Sequence, residues 1–331
     1  MRIDVHQHLM PAFYARAMEA NGGDPSDSPL PKWSPELAID YMDSHQIRTG
    51  ILSLSSPSVV GWRGKERREM ARRVNEYTAD LVAKRPARFG NFATVPLPDV
   101  EGSLEEIAYA FDVLQADGVL LLANYLGKYL GDPAFEPIWA ELSRRQAVVL
   151  VHPGVTPGQP SFPPADGIPS PLLDFLLHTA RAAVQLVFNG VIDRYPAARI
   201  ILSHAGGFMP YAALRVAGGV PHFRTDLADP AKTLARLKHF YFDTALSSGS
   251  AIPALKDFAA PDRILFGSDF PYAPPDVAAY FIEALDANAH LDSAERTAIN
   301  SGNALALFPR LAPSYESPEI GEAESRHGAL T

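Results

Sequence analysis

The chain contains no cysteine. Disulfides, thiolate metal sites and cysteine nucleophiles are therefore excluded, and any metal must be held by nitrogen or oxygen. No apolar run approaches the roughly 18 residues that a membrane span needs. The opening "RIDVH" enters a strand pattern at once, with no basic region and apolar stretch before it, so no signal peptide is visible and a cytoplasmic setting is expected. Basic surface is scarce too. The net charge is -9, and the one basic cluster, "KERREMARR" from Lys65 to Arg73, is interleaved with Glu66 and Glu69. It reads as the exposed face of a helix, not as a nucleic-acid footprint. Nor does a glycine-rich turn follow the first strand, where "HQHLMPAF" stands, which argues against a nicotinamide- or phosphate-binding α/β protein.

What is present is ordinary globular material. The 331 residues are 47% hydrophobic and 20% charged. A chain of this size buries about 75% of its unfolded surface and needs no staples. Eight short apolar runs recur: "IDVH" (3–6), "TGILSLS" (49–55), "FGNFATV" (89–95), "GVLLLA" (118–123), "AVVLVH" (147–152), "RIILSH" (199–204), "HFYFDTA" (239–245) and "RILFGSD" (263–269). Near-continuous apolarity is the mark of parallel strands covered on both faces.

Helix signals fill the gaps. Ser34-Pro35, Asp132-Pro133 and Asp229-Pro230 look like caps followed by a first-turn proline, "SLEE" reads as a capping box of Ser103 with Glu106, and Met70, Val74, Tyr77 and Leu81 form an apolar stripe at helical spacing. Residues 170–195 and 275–288 are also helix-like. Strand-helix alternation repeated eight times predicts an α/β fold, a (β/α)8 TIM barrel spanning 1–312, with an open doubly wound sheet as the rival. Two insertions rich in Pro, Gly and Ser, 21–33 and 153–171, are expected as loops at the C-terminal face of the barrel, and 313–331 as a polar C-terminal tail.

In such a barrel the active site sits at the C-terminal ends of the strands. The first predicted strand ends at His6 and His8, the fifth at His152, the sixth at His204 and the eighth at Asp269. Side chains two apart on a strand share a face, so His6 and His8 face one mouth while Gln7 points away. Each residue alone has an ordinary structural explanation; five of them at matching strand ends do not. Imidazoles and a carboxylate suit one divalent transition ion, zinc first and manganese as the alternative. The remaining histidines carry no such pattern. His45 lies near a helix end, and His178, in "LDFLLHTARAAV", is expected to pack a helix.

These motifs, His6-x-His8, His152-Pro153, "SHAGG" (203–207), "ILFGSDFP" (264–271) and "GNALALF" (302–308), resemble the amidohydrolase superfamily. More narrowly, they resemble the branch related to aminocarboxymuconate-semialdehyde decarboxylase, which includes metal-dependent, non-oxidative decarboxylases of hydroxybenzoates. The stretches "NEYTADLV", "FATVPLPD" and "YLGDPAFEPIWAEL" are most similar to 6-methylsalicylate decarboxylases. The resemblance implies that His6, His8, His152 and Asp269 bind the ion and that His204 is an acid/base. Some members of the branch open with glutamate where this chain has His6. In two-metal relatives a carbamylated lysine ends the fourth strand; here Asn124 stands there and Lys128 is four residues on, so one ion is expected. Relatives are commonly dimeric, which makes a homodimer an expectation.

The expected substrate is a small aromatic carboxylic acid, and the expected reaction is loss of CO2 after protonation of the ring carbon that bears the carboxylate. Asp269 is the first choice of proton donor and His204 the second. Asn124, Phe13 and Phe270 are candidate pocket lining, although core packing serves the two phenylalanines equally well. A metal-dependent lactone or amide hydrolase on the same scaffold is the alternative, and a non-catalytic barrel with a binding role is the rival from another class.

Overall fold

In the computed structural model, residues 1–26, 29–155 and 168–316 are described. Eight parallel strands follow one another in chain order: β1 (Arg2–His8), β2 (Ile47–Ser53), β3 (Phe89–Thr94), β4 (Gly118–Leu122), β5 (Val148–His152), β6 (Arg199–Leu202), β7 (Tyr241–Asp243) and β8 (Ile264–Leu265). Each pairs with the next; β4 and β5 run in step from Gly118 opposite Val148 to Leu122 opposite His152. The ring closes through backbone hydrogen bonds from Val5 N to Phe266 O (3.0 Å) and from Asp269 N to His6 O (2.8 Å). All eight apolar runs are strands of this barrel. Sequential parallel pairing with closure decides for the barrel over the open sheet.

Helices form where the local chemistry stops competing. Ser34 accepts from Leu37 N, and Asp229 from Ala231 N and Lys232 N, each just before a proline that lacks the N–H a first turn leaves unpaired. Asp132 also caps, but what it opens is a short 3-10 turn, Pro133–Phe135, ahead of the helix Glu136–Arg144. The "SLEE" capping box does not form. The helix begins earlier, at Val100, because Asp99 accepts from Gly102 N. This places Glu106 on the face turned to the helix Gly64–Lys84, where it accepts from Asn75 Nδ2 and Arg72 Nε. The basic cluster lies on that same helix, with Arg68 reaching Asp99 and Arg72 reaching Glu106.

The core lies between barrel and helices and inside the barrel. Trp139 is buried there with its Nε1 donating to Leu130 O at 2.8 Å, so its polar atom is not stranded; truncation to alanine would cost about 3–5 kcal/mol. Past Phe308 the chain stays packed as far as a short helix, Ala312–Glu316. Tyr315 donates to Arg2 O at 2.9 Å across the bottom of the barrel. The packed chain thus runs a few residues beyond 312; the rest of the expected tail, 317–331, lies outside the described residues, as do 27–28 and 156–167 of the two expected loops. Among the described residues no helix is long and apolar enough to cross a membrane.

Candidate metal centre

β1 delivers His6 and His8, β5 delivers His152, and the segments beyond β6 and β8 deliver His204 and Asp269. All five are buried. His6 Nε2 lies 3.1 Å from His8 Nε2, and Asp269 Oδ1 lies 3.3 Å from the first and 3.1 Å from the second. Ligand atoms of His6, His152, His204 and Asp269 all fall within 4.8 Å of one another. The His152 ring stands edge-on to those of His6 and His8, with centroids 5.1 Å and 4.8 Å away. The structure brings together the five residues expected at strand ends.

The hydrogen bonds fix which nitrogen of each ring is bare. His6 Nδ1 meets Asp243 Oδ2 at 2.8 Å, and His152 Nδ1 meets Pro153 O at 2.6 Å. His8 Nδ1 meets Ser53 O at 3.2 Å and Ser53 Oγ at 3.0 Å, while the Ser53 hydroxyl itself donates to Gln7 O. Each partner is an acceptor, so each Nδ1 carries a proton and each Nε2 is the nitrogen turned to the shared position. His6 Nε2 and His8 Nε2 face each other and the Asp269 carboxylate, an arrangement that a cation among them would satisfy. His152 Nε2, buried and without any partner, is the orphan such a cation would satisfy. The donor set therefore fits one divalent ion.

The electrostatics agree. Burial lowers His8, and burial with the neighbouring imidazoles lowers His152 well below the ordinary histidine range, so both are neutral. Burial also works against charge on His6, but Asp243 and Asp269 on either side push it up to about 10, so positive charge is favoured where its Nε2 faces Asp269. Burial works to raise Asp269, yet the imidazoles of His6, His204 and His8 hold it well below the usual carboxylate range. The site is thus built to hold positive charge.

The surrounding backbone is bent to serve it. His204 and Asp269 stand at φ 54° and 63°, conformations that side chains other than glycine rarely adopt. In "SHAGG", Gly207 at φ 62° passes so close to the Leu176 carbonyl that no Cβ would fit. In "FGSD", a Cβ on Gly267 would lie 2.8 Å from His6 Cβ, so this glycine lets the segment after β8 approach His6.

Two carboxylates at the centre went unnoticed in the sequence. Asp243, the last residue of β7, is fully buried and binds both His6 Nδ1 and His204 N. Asp4 accepts from His6 N, Ser268 N, Ser268 Oγ and Gln7 Nε2, tying β1 to the segment after β8; burial raises it to about 7 against the pull of those bonds. A carboxylate set within an otherwise apolar run, as in "IDVH" and "HFYFDTA", is the signal that marks them. Gln7 turns away from the ion position and nests against Gly50.

The expected pocket lining fares differently. Phe13 packs on Tyr77 and under the Arg73 guanidinium, against the helix Gly64–Lys84, and does not face the histidines. Phe270 stacks on Tyr41 of the helix Pro35–Ser44, 4.1 Å between centroids, outside the barrel wall. Asn124 is buried at the start of a small ribbon after β4, donating to Gly154 O and accepting from Gly127 N, each at 3.4 Å. The rings beside the site are instead Tyr272, edge-on to His8 at 5.6 Å, and Phe175, edge-on to His152 at 6.2 Å. His178 pairs with Tyr129 OH at 2.6 Å, and Lys128 is exposed.

Comparison with known proteins places this geometry. The amidohydrolase family matches residues 3–310. The 6-methylsalicylic acid decarboxylase of Penicillium expansum is 41% identical over 323 residues, covering 94% of this chain and 97% of its own. A solved amidohydrolase II structure superposes with a TM-score of 0.86 at 30% identity, covering 93% of this chain and 100% of that one. The dihydroxybenzoic acid decarboxylase of a Polaromonas species, solved with manganese and the inhibitor 2-nitroresorcinol, superposes with a TM-score of 0.71 at 26% identity, covering 93% and 96%. The barrel, the histidines and aspartate gathered at its strand ends and the family match lead to one conclusion: the chain belongs to the amidohydrolase family.

Proposed function

We propose that this protein is a metal-dependent, non-oxidative decarboxylase of a salicylate-type hydroxybenzoate, with 6-methylsalicylate as the first candidate substrate. The observation that carries this is the convergence of three Nε2 atoms, that of His152 without a partner, and the Asp269 carboxylate at one mouth, in a chain 41% identical to a 6-methylsalicylic acid decarboxylase. His6, His8, His152 and Asp269 are assigned as ligands of one ion. The nitrogen-rich donor set favours Zn2+, with Mn2+, as in the Polaromonas relative, the alternative. His204 is assigned to proton transfer. The Asp269 oxygens support this division: Oδ1 faces His6 and His8, whereas Oδ2 faces His204 Nε2 at 3.4 Å.

The ion, when bound, supplies Lewis acidity that orients the carboxylate and ortho hydroxyl of the substrate and favours the phenolate. Asp269, ionised in the resting site, takes the phenolic proton and delivers it to the ring carbon bearing the carboxylate. The C–C bond then breaks, its electron pair returns to the ring, and CO2 leaves. His204 brings a proton from solvent to the product phenolate, so that one proton is consumed per CO2 released. Tyr272 and Phe175 offer the flat apolar walls that an aromatic acid needs. A cytoplasmic homodimer completes the proposal.

The test is a screen of hydroxybenzoates for CO2 release by enzyme loaded with Zn2+ or Mn2+. CO2 from 6-methylsalicylate or another ortho-hydroxybenzoate is expected. Turnover of lactones or amides without CO2 from any hydroxybenzoate would overturn the proposal in favour of hydrolysis.

A further inference from the structure

Asp243 uses both oxygens, in two directions. Oδ2 accepts from His6 Nδ1 at 2.8 Å; Oδ1 accepts from the backbone N–H groups of His204 at 2.9 Å and Ala245 at 3.0 Å. One buried carboxylate thus touches a ring whose other nitrogen faces the ion position, and the left-handed backbone of the proton-transfer histidine. We propose that Asp243 is a positioning residue that couples the two: it selects the His6 tautomer whose Nε2 is bare, and it pins the turn that aims the His204 ring at Asp269. This assignment rests on His6 being a ligand.

Every partner of Asp243 is an N–H donor, so its place demands acceptors on both sides. Alanine would remove the acceptors and leave His6 free to take either tautomer. Asparagine, nearly the same size, would present an amide oxygen on one side and an NH2 on the other. The two backbone donors cannot adapt, so the oxygen turns to them and the NH2 turns to His6. It then donates to Nδ1 and drives the ring proton to Nε2, where it blocks coordination. The better steric match is therefore the worse one for metal binding. A residue that merely filled space would show the opposite order.

The experiment titrates Mn2+ into metal-free wild type, Asp243→Asn and Asp243→Ala, following free Mn2+ by its electron paramagnetic resonance signal. Affinity is expected to fall about 10-fold in the alanine variant and about 100-fold or more in the asparagine variant. Alanine binding as weakly as asparagine, or more weakly, overturns the proposal. Wild type that binds no ion overturns the metal-site assignment instead. Should the alanine variant not fold, nitrogen NMR of Zn2+-loaded, 15N-histidine wild type decides: His6 is expected with Nδ1 protonated and Nε2 bound, and coordination through Nδ1 overturns the proposal. For the His204 arm, kcat at saturating Mn2+ should fall at least about 10-fold in Asp243→Ala. Adding His204→Ala should lower it less than it does in wild type; full additivity overturns that arm.

Discussion

The two halves of the barrel mouth are built differently. From β1 to β5 the strands have between five and seven residues, and His6, His8 and His152 sit within strands, His6 where the β1–β2 register shifts, with each Nδ1 tied to an oxygen. From β6 to β8 the strands shrink to four, three and two residues, and His204 and Asp269 stand beyond them on left-handed backbone. In the first half side-chain bonds hold the rings. In the second, Asp4 and Asp243 hold the backbone, while His204 Nδ1 has no partner. A ring tied at Nδ1 keeps its Nε2 in one place, which suits the ligand role proposed for these three. The His204 ring meets Asp269 through Nε2, which suits the proton transfer proposed for it.

Removing one ring from each half should break this comparison most visibly. His152→Ala is expected to lose bound metal, from about one ion per chain toward none, and all turnover with it. His204→Ala should keep the metal by elemental analysis while kcat falls about 10²–10⁴-fold. Equal metal loss in both variants would erase the distinction. The backbone contrast is sharpened by two glycines at positive φ. Gly207→Ala, against the Leu176 carbonyl, should cost about 3 kcal/mol in urea unfolding. Gly127→Ala on the ribbon, where a Cβ meets nothing, should cost about 1 kcal/mol.

Smaller effects follow. Ser53→Ala loosens the His8 ring and should weaken Mn2+ binding about 10-fold with little change in Tm. Phe13→Leu should leave KM within about twofold, since its ring faces a helix and not the mouth. Far from both halves, Arg144 and Arg145 hold Glu141 down to about 2. Its folded pKa is depressed, so its contribution is present above the ordinary glutamate range and is lost as pH falls toward about 2. Glu141→Gln should therefore cost under about 1 kcal/mol at neutral pH, and the difference from wild type should vanish in acid titration of stability.

The strands were legible because a parallel strand covered on both faces must be apolar throughout, and helix starts were legible wherever one cap stood alone, as at Ser34 and Asp229. Ser103 misled because Asp99, four residues earlier, was an equally good cap and began the helix first. For Phe13 and Phe270 the sequence left pocket lining and core packing open, for a different reason. Neighbouring a site residue in sequence does not say from which side of the backbone a ring leaves. The left-handed turn at Asp269 sends the next ring outward onto Tyr41.

By itself the sequence determined the order of the strands and the chemical types gathered at their ends. Both follow from local rules: apolar periodicity makes the strand, and parallel strands in one barrel send their ends to one face. The tertiary structure alone decided which nitrogen of each histidine turns to the shared position, which oxygen of Asp269 faces which ring, and that Asp243 contacts both His6 and the backbone of His204. A tautomer is set by whatever accepts its proton, and for His6 that acceptor lies 237 residues along the chain.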